Sequence, residues 1–174
     1  MTVRITFGLS AKEIGEAIKA MSEAHSKVST ASGRITARLV EMGAARARQN
    51  VSELDAVDSG ALQASIGGQA SGSVGLIYAD APHAAFVEFG TGVVGAGKEG
   101  KSTPHPQAAT MWKYDVNQHG EEGWVYSVSR VSETGEMSVF FRRTAGYISR
   151  PFMWNTKLYL DEIAPQVAKE VLEL

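Results

Sequence analysis

The hydrophobic and polar positions of the first third of the chain follow a helical period. Residues 10–13, SAKE, form a capping-box pattern, with Leu9 and Ile14 at the spacing of a hydrophobic staple. A serine-rich stretch at residues 26–34 favours a break. The pattern predicts two helices, or one kinked helix, ending near Asn50. Their apolar face is formed by Ile14, Ala17, Ile18, Met21, Ile35, Leu39 and Met42.

Alternating patterns predict strands further along the chain. Residues 67–75 are loop-like and lead into a strand, whereas the apolar run HAAFVEFGTG at residues 83–92 fits a helix or a strand. Between residues 112 and 141, three apolar segments separated by two polar turns predict a three-stranded antiparallel meander. The strand residues are Val3, Ile5 and Phe7 near the N-terminus, Val74, Leu76 and Tyr78, and the segments WKYDV, WVYSV and MSVFF of the meander.

A terminal helix is predicted to begin at Pro151, where the missing N–H of proline costs nothing. Pro165 is expected to kink or restart this helix. The order of elements predicts an α+β fold, in which an antiparallel β-sheet packs against a long N-terminal helical segment, either continuous or kinked, and a C-terminal helix. We expect one domain, residues 1–174, with a flexible Gly/Lys/Pro-rich loop at about 92–107. The apolar stripe of the last helix consists of Leu160, Ile163, Val167, Val171 and Leu174.

Composition and charge narrow the function. With 44% hydrophobic and 21% charged residues among 174, the chain is typical of a globular protein. It has no cysteine, which excludes disulfides and thiolate metal sites. The net charge of −2 argues against nucleic-acid binding by bulk attraction. Residues 1–50 carry 8 Lys/Arg against 4 Glu, and the remainder 9 against 15 acidic residues, so copies of the chain could attract one another.

The segment GAGKEGKS, residues 95–102, matches the phosphate-binding P-loop pattern G-x-x-x-x-G-K-[ST]. A working P-loop needs a helix that begins at the Lys-Ser pair. Here Pro104 and Pro106 follow, and each disfavours helix at the residue before it. We therefore expect no nucleotide at this loop, which we expect to be mobile in the isolated chain and to become ordered against a neighbour.

Catalytic and metal-binding patterns are weak. The four histidines include neither an HExxH motif nor a pair at helical spacing. Two alternatives stay open: a small hydrolase-type enzyme using His83 and Glu88, and a DNA-binding module. The arginines of that module would be Arg34, Arg38, Arg46 and Arg48. The preferred interpretation has no catalytic, cofactor or metal site.

Three motifs carry a family resemblance. They are D-S-G-x-L-x-x-S-I at residues 58–66, AFVEFGTG at residues 85–92 and RPFM at residues 150–153. In this order they resemble the head–tail joining, or tail-completion, proteins of the neck of long-tailed bacteriophages, over about residues 10–165. The chain differs from the pattern in having His83 and Phe86 where tyrosine is commoner, and in a long insertion between Thr91 and Pro151.

The resemblance implies a non-enzymatic virion protein at the head–tail junction or tail end, assembled in the cytoplasm of the bacterial host. It implies a homo-oligomeric ring, often a hexamer, around a channel through which DNA passes without sequence-specific binding. The implied partners are further copies, head-completion or connector proteins, and tail-tube or tail-terminator proteins, with no cofactor and no membrane. The implied assembly residues are Asp58, Gly60, Leu62, Glu88, Phe89, Gly90, Thr91, Gly92, Pro151, Phe152 and Met153.

Individual roles follow for some of these residues. Gly90 and Gly92 are expected to take backbone angles that other residues resist. Glu88 is expected to accept N–H groups of its own turn or to pair with Arg150. Buried Phe89 and Phe152 would dock the last helix on the sheet.

Overall fold

The computed structural model describes residues 10–98, 100, 102–114 and 123–172. Two long helices and two separate two-stranded antiparallel sheets make the fold α+β, as predicted. The elements in chain order are α1 (Ala11–Glu53), α2 (Ala61–Ser65), β1 (Ile66–Ser71), β2 (Val74–Ala79), α3 (Ala84–Phe89), α4 (Gly92–Gly95), α5 (Ala108–Met111), β3 (Trp124–Val131), β4 (Met137–Thr144), β5 (Gly146–Tyr147) and α6 (Phe152–Leu172).

Helix α1 is one continuous helix of 43 residues, about 64 Å long at roughly 1.5 Å per residue. Its capping box is present as predicted: the Ser10 hydroxyl accepts the Glu13 N–H, and the Glu13 carboxylate accepts the Ser10 N–H. The Ser10 hydroxyl also donates to the Glu13 carboxylate, and this bond, followed by the one from the Ser10 N–H, lowers the pKa of Glu13. The predicted break at residues 26–34 is wrong. The Thr30 hydroxyl donates within the helix, to the Ser26 carbonyl at 2.9 Å, and so does not compete with the helical backbone.

The hairpin β1–β2 lies against the C-terminal half of α1. A Cβ atom at Gly68 or Gly75 would come within 2.6 Å of the Val40 side chain, so these glycines let the helix rest on the strand backbone. The prediction of β2 is confirmed. The loop predicted over residues 67–75 is wrong for β1, because the glycines that suggested a loop serve this close approach instead.

Helix α6 packs along α1 in the antiparallel sense. The Phe152 carbonyl meets Asn50 near the end of α1, and Leu160 lies against Gly43 one to two turns earlier. The expected restart at Pro165 does not occur, because α6 continues through it to Leu172. The helix also packs against the rest of the protein beyond the proline, since Val167 is buried.

The hydrophobic core sits where α1, α2, α3 and α6 meet. Small residues on α1 let the other elements approach its backbone closely. The buried cluster consists of Ala44, Ala47, Val51, Leu62, Ile66, Ala81, Ala84 and Phe152.

Of the predicted meander, the described residues form the hairpin β3–β4. Its register runs from the pair Trp124–Thr144 to the pair Val131–Met137. Trp112 is the C-cap of α5 instead of a strand residue, and so cannot stack across a ladder on Trp124. The predicted N-terminal strand, Leu9 of the staple, residues 115–122 of the meander and Leu174 of the last stripe lie outside the described residues.

Candidate functional site

The three sequence motifs meet at the start of α6. Leu62 and Ile66 of the first motif lie in the same core cluster as Phe152 of the third, and Val87 and Met153 pack against that cluster. Gly60 begins α2 with a positive φ of 80°, which turns the chain so that Leu62 faces inward. Asp58 is exposed just before this turn. The geometry of the junction therefore depends on all three motifs.

The Glu88 carboxylate caps α6. Its Oε2 accepts the Met153 N–H at 2.8 Å, and its Oε1 accepts the Trp154 N–H at 2.9 Å. The first N–H groups of a helix have no partner inside the helix, and a negative charge there also interacts favourably with the helix dipole. The Phe152 N–H donates to the Arg150 carbonyl, and the Asn155 N–H already donates to Pro151. The whole first turn is therefore satisfied.

His105 is the second partner of Glu88. Its Nε2 lies 3.0 Å from Glu88 Oε1, and its Nδ1 accepts the Gln107 N–H at 3.1 Å. Because Nδ1 accepts a hydrogen bond, the ring is assigned as neutral with its proton on Nε2, which donates to the carboxylate. The side chains are almost inaccessible, with residue exposures of 4% for His105 and 7% for Glu88. The ring packs against Phe89 and Trp154, at centroid distances of 4.4 and 5.8 Å.

The expected partners of Glu88 are therefore corrected. It accepts N–H groups of α6 instead of its own turn, and its side-chain partner is His105 instead of Arg150. Arg150 contributes through its backbone, whose N–H donates to the Val87 carbonyl at 2.8 Å. The hydrolase-type pair of His83 and Glu88 is not formed either, since His83 is an exposed residue that lines a different cavity from Glu88.

Aromatic packing covers the turn after Glu88. The ring of Trp112 stacks on Phe89 at 5.1 Å, and its indole N–H donates to the Gly90 carbonyl at 2.9 Å. Phe152 is buried as expected, whereas Phe89 is half-buried under this tryptophan.

The glycines of the E-F-G-T-G turn permit a close backbone contact. Gly90 and Gly92 have positive φ angles of 77° and 60°, as expected. Thr91 and Gly92 form antiparallel bridges with Tyr147 and Gly146, and the Thr91 hydroxyl accepts the Tyr147 N–H at 3.0 Å. This contact joins the turn to the segment that leads into α6.

Gly146→Ala tests this contact. At Gly146 the φ angle is 112°, and a Cβ atom would lie 1.9 Å from the Thr91 carbonyl oxygen. We expect a loss of about 1–3 kcal/mol in the free energy of unfolding from the backbone strain, plus the cost of moving Thr91, measured by urea denaturation. Gly135→Ala is the matched control, because Gly135 has a φ of 83° with nothing near its Cβ position. Equal losses in the two variants would show that the contact with Thr91 is unimportant.

Sequence reasoning missed three residues of the junction: Asn50, His105 and Thr156. Asn50 Nδ2 donates to the Phe152 carbonyl at 2.9 Å and to the Thr156 hydroxyl at 3.0 Å. The sequence contained one signal for Asn50. Its polar amide lies on an alanine-rich helix face, and a buried amide needs a hydrogen-bond partner. His105 carried a weaker signal, its position between two prolines.

The P-loop match lies in a different setting from a phosphate site. The Ser102 hydroxyl donates to the Val94 carbonyl, and no helix begins at residues 102–105. Lys101 lies outside the described residues. Several residues of the segment 92–107 are buried, namely Gly92, Val93, Gly95 and His105. Its mobility in the isolated chain stays a prediction.

Calorimetric titration with ATP and Mg²⁺ is expected to give no binding heat. The physical reason is that the serine which would hold the Mg²⁺ in a P-loop donates to Val94 here. Micromolar affinity would contradict this prediction. A Ser102→Ala variant distinguishes the cases, since it would weaken a true P-loop site and leave a null result unchanged.

The four arginines of the DNA-binding alternative do not form one free surface. Arg38 pairs with Glu41 at 3.3 Å, and Arg46 pairs with Glu53 at 3.3 Å. Arg48 donates to the Ile66 carbonyl at 2.5 Å, and Arg34 is exposed. Three of the four are therefore engaged within the chain.

In the part of the chain that the structure describes, there is little support for a ligand pocket at Glu88, a metal centre or a membrane-spanning helix. Glu88 borders a cavity of about 330 Å³, but both of its oxygens accept hydrogen bonds from the protein. The described residues contain no group of three or more His, Cys, Asp or Glu that could hold a metal ion. Within them, no helix is both long and apolar enough to span a bilayer.

A comparison with protein families gives a match to residues 12–90, which span α1, both strands of the first hairpin and the E-F-G motif. The family is described as "Bacteriophage HK97-gp10, putative tail-component". The predicted resemblance to tailed-phage proteins is confirmed over these residues.

The match covers slightly less than half of the chain and includes the first motif and residues 85–90 of the second. The third motif, the hairpin β3–β4 and α6 lie beyond it. Curated proteins and solved structures give no match.

Proposed function

We propose that this protein is a phage tail component that completes the tail or joins it to the DNA-filled head, as a homo-oligomeric ring around the DNA channel. The observation that carries the proposal is the structural role of Glu88. Its carboxylate accepts hydrogen bonds from two α6 N–H groups and from His105, and is thereby a structural cap. A buried acid engaged in this way positions a helix and has no oxygen directed at a substrate.

Exposed apolar surface supports the role of an assembly protein. Hydrophobic side chains are exposed along α1 and along both strands of β3–β4. Clusters of exposed apolar side chains on a protein surface are typical of protein–protein interfaces. In a ring, one surface of each copy meets a different surface of the next copy, and the contacts close on themselves.

The proposed partners are further copies of the chain, a head-completion or connector protein on one side, and a tail-tube or tail-terminator protein on the other. DNA passes through the ring without sequence-specific binding. The engagement of Arg38, Arg46 and Arg48 within the chain agrees with this absence of base-specific contact.

Electron microscopy of infected-cell lysates tests the proposal. A phage from which this gene is deleted should give filled heads and separate tails, and supplying the wild-type chain in trans should restore joined particles. The core variant Phe152→Ala is the control that should fail to restore them because it should not fold stably. Normal yields of joined, infectious particles without the chain would contradict the proposal.

A further inference from the structure

The N-terminal half of α1 presents an apolar stripe to solvent. Ile14, Ile18, Met21 and Val28, together called the α1 stripe, are exposed, with Ile18 at 63%. Their spacing places them on one side of the helix. Ile14 and Asn50 are ten turns apart at about 3.6 residues per turn, so the stripe continues the side of α1 that is buried under α6.

The charges of this half lie away from the stripe. Residues 11–30 carry three lysines and three glutamates, so their net charge is zero apart from His25. Five of these six residues lie on the opposite half of the helix: Lys12, Glu16, Lys19, Glu23 and Lys27. A balanced charge gives no general attraction to nucleic acid or to an anionic membrane. The stripe therefore fits an apolar protein surface.

A second apolar surface lies on the hairpin β3–β4. The register places Val125 and Val131 of β3 on the same face as three apolar residues of β4. We call this set the hairpin face. All five members are exposed, with Phe141 at 75%: Val125, Val131, Met137, Val139 and Phe141.

The other side of the hairpin is half-buried where β3 begins, at Trp124, Tyr126 and Val128, whereas Phe140 on that side is exposed. A hydrogen bond between the Tyr126 and Tyr147 side chains, followed by burial, raises the pKa of Tyr147. A two-stranded hairpin is marginally stable in water without packing on one of its faces. The hairpin face is therefore the side left to receive a partner.

The packing of α1 inside the chain provides a template for that partner. Its C-terminal half already rests on a two-stranded hairpin, where Val40 meets Gly68 and Gly75. The dimensions also agree. The α1 stripe is about 21 Å long, at roughly 1.5 Å per residue, and an eight-residue strand of β3–β4 is about 26 Å long, at roughly 3.3 Å per residue.

We propose that the α1 stripe of one copy packs on the hairpin face of a neighbouring copy. This contact rests on the proposed ring and names the surfaces that form it. The two surfaces differ, so each copy offers one and receives the other, as a closed ring requires. Pairing of two α1 stripes would instead give a two-fold dimer, and is the competing outcome.

The absence of cysteine makes a site-specific cross-linking test possible. Ile18→Cys and Phe141→Cys replace exposed side chains, so both variants are expected to fold. Both are produced together in infected cells, and assembled particles are treated with a short bis-maleimide. The expected result is a covalent dimer that contains one copy of each variant. A chain carrying both substitutions should give a ladder of larger multimers.

Lys19→Cys with Phe141→Cys is the matched control, because residue 19 adjoins Ile18 in sequence but lies on the charged side of α1. Several-fold more dimer with Ile18→Cys than with Lys19→Cys supports the contact. Equal yields would overturn it, as would efficient cross-linking of Ile18→Cys to itself. Joined particles without either cross-link would refute this contact alone, whereas normal particles without the gene would refute the proposed function.

Discussion

Phe152→Ala is expected to lower the free energy of unfolding by about 3–5 kcal/mol, the range for truncating a fully buried phenylalanine. Phe152 is 1% exposed and packs in the core cluster with Leu62 and Ile66. It is also the first residue of α6, so the cavity would lie where that helix meets α1. For a chain of this size the loss corresponds to a melting temperature lower by roughly 6–20 °C, measured by circular dichroism and urea denaturation.

Phe141→Ala is the matched control for this variant. It removes the same side chain from a position that is 75% exposed. Surface substitutions of this kind usually change stability by about 0.5 kcal/mol or less. A small effect at Phe141 beside a large one at Phe152 would show that burial, and not the loss of a phenyl ring as such, decides the outcome. Stability of Phe152→Ala equal to that of the wild type would contradict the docking role.

The elements that the sequence predicts well are those that depend on neighbouring residues. The capping box at Ser10, the alternating strand β2 and the hairpin β3–β4 all follow from local patterns. The start of α6 after Pro151 does so too, because the fixed φ of proline suits the beginning of a helix.

The failures come from contacts between distant parts of the chain. Strand β1 looks like a loop because Gly67 and Gly68 weaken a strand. The fold explains both glycines, since Gly67 lies against the Tyr78 ring of β2 and Gly68 against Val40 of α1. Trp112 matches the W-x-Y-x-V pattern of a strand but packs on Phe89, 23 residues earlier in the chain. Tertiary packing overrides the local pattern in both places.

In the candidate site too, the sequence predicts local features but not the contacts between distant residues. The motifs identify Glu88 and Phe152, but not the partners of Glu88. The Met153 and Trp154 N–H groups come from 65 and 66 residues further along the chain, and His105 from 17 residues further. No periodic pattern relates these positions, so the cap could be found only once the fold was known.

Glu88→Ala is expected to cost about 3–5 kcal/mol of unfolding free energy. Three donors lose their acceptor, each at roughly 1–3 kcal/mol, and water entering the adjoining cavity recovers part of the sum. Glu41→Ala is the control: Glu41 forms an exposed ion pair with Arg38, and such pairs contribute about 0–1 kcal/mol. Urea denaturation measures both variants, and a double-mutant cycle of Glu88→Gln with His105→Ala should give a coupling energy of about 0.5–3 kcal/mol.

Glu88→Gln separates the structural role from a catalytic one. The amide keeps one acceptor oxygen, but its nitrogen must face either the Met153 N–H, or both the Trp154 N–H and the His105 Nε2–H, so part of the stability is lost. If Glu88 only caps α6, particle joining should fall with the folded fraction of the variant and recover at lower temperature, where more of it folds. A variant as stable as the wild type that nevertheless failed to join heads and tails would show that the carboxylate acts on a partner or a ligand, and the cap would then be its lesser role.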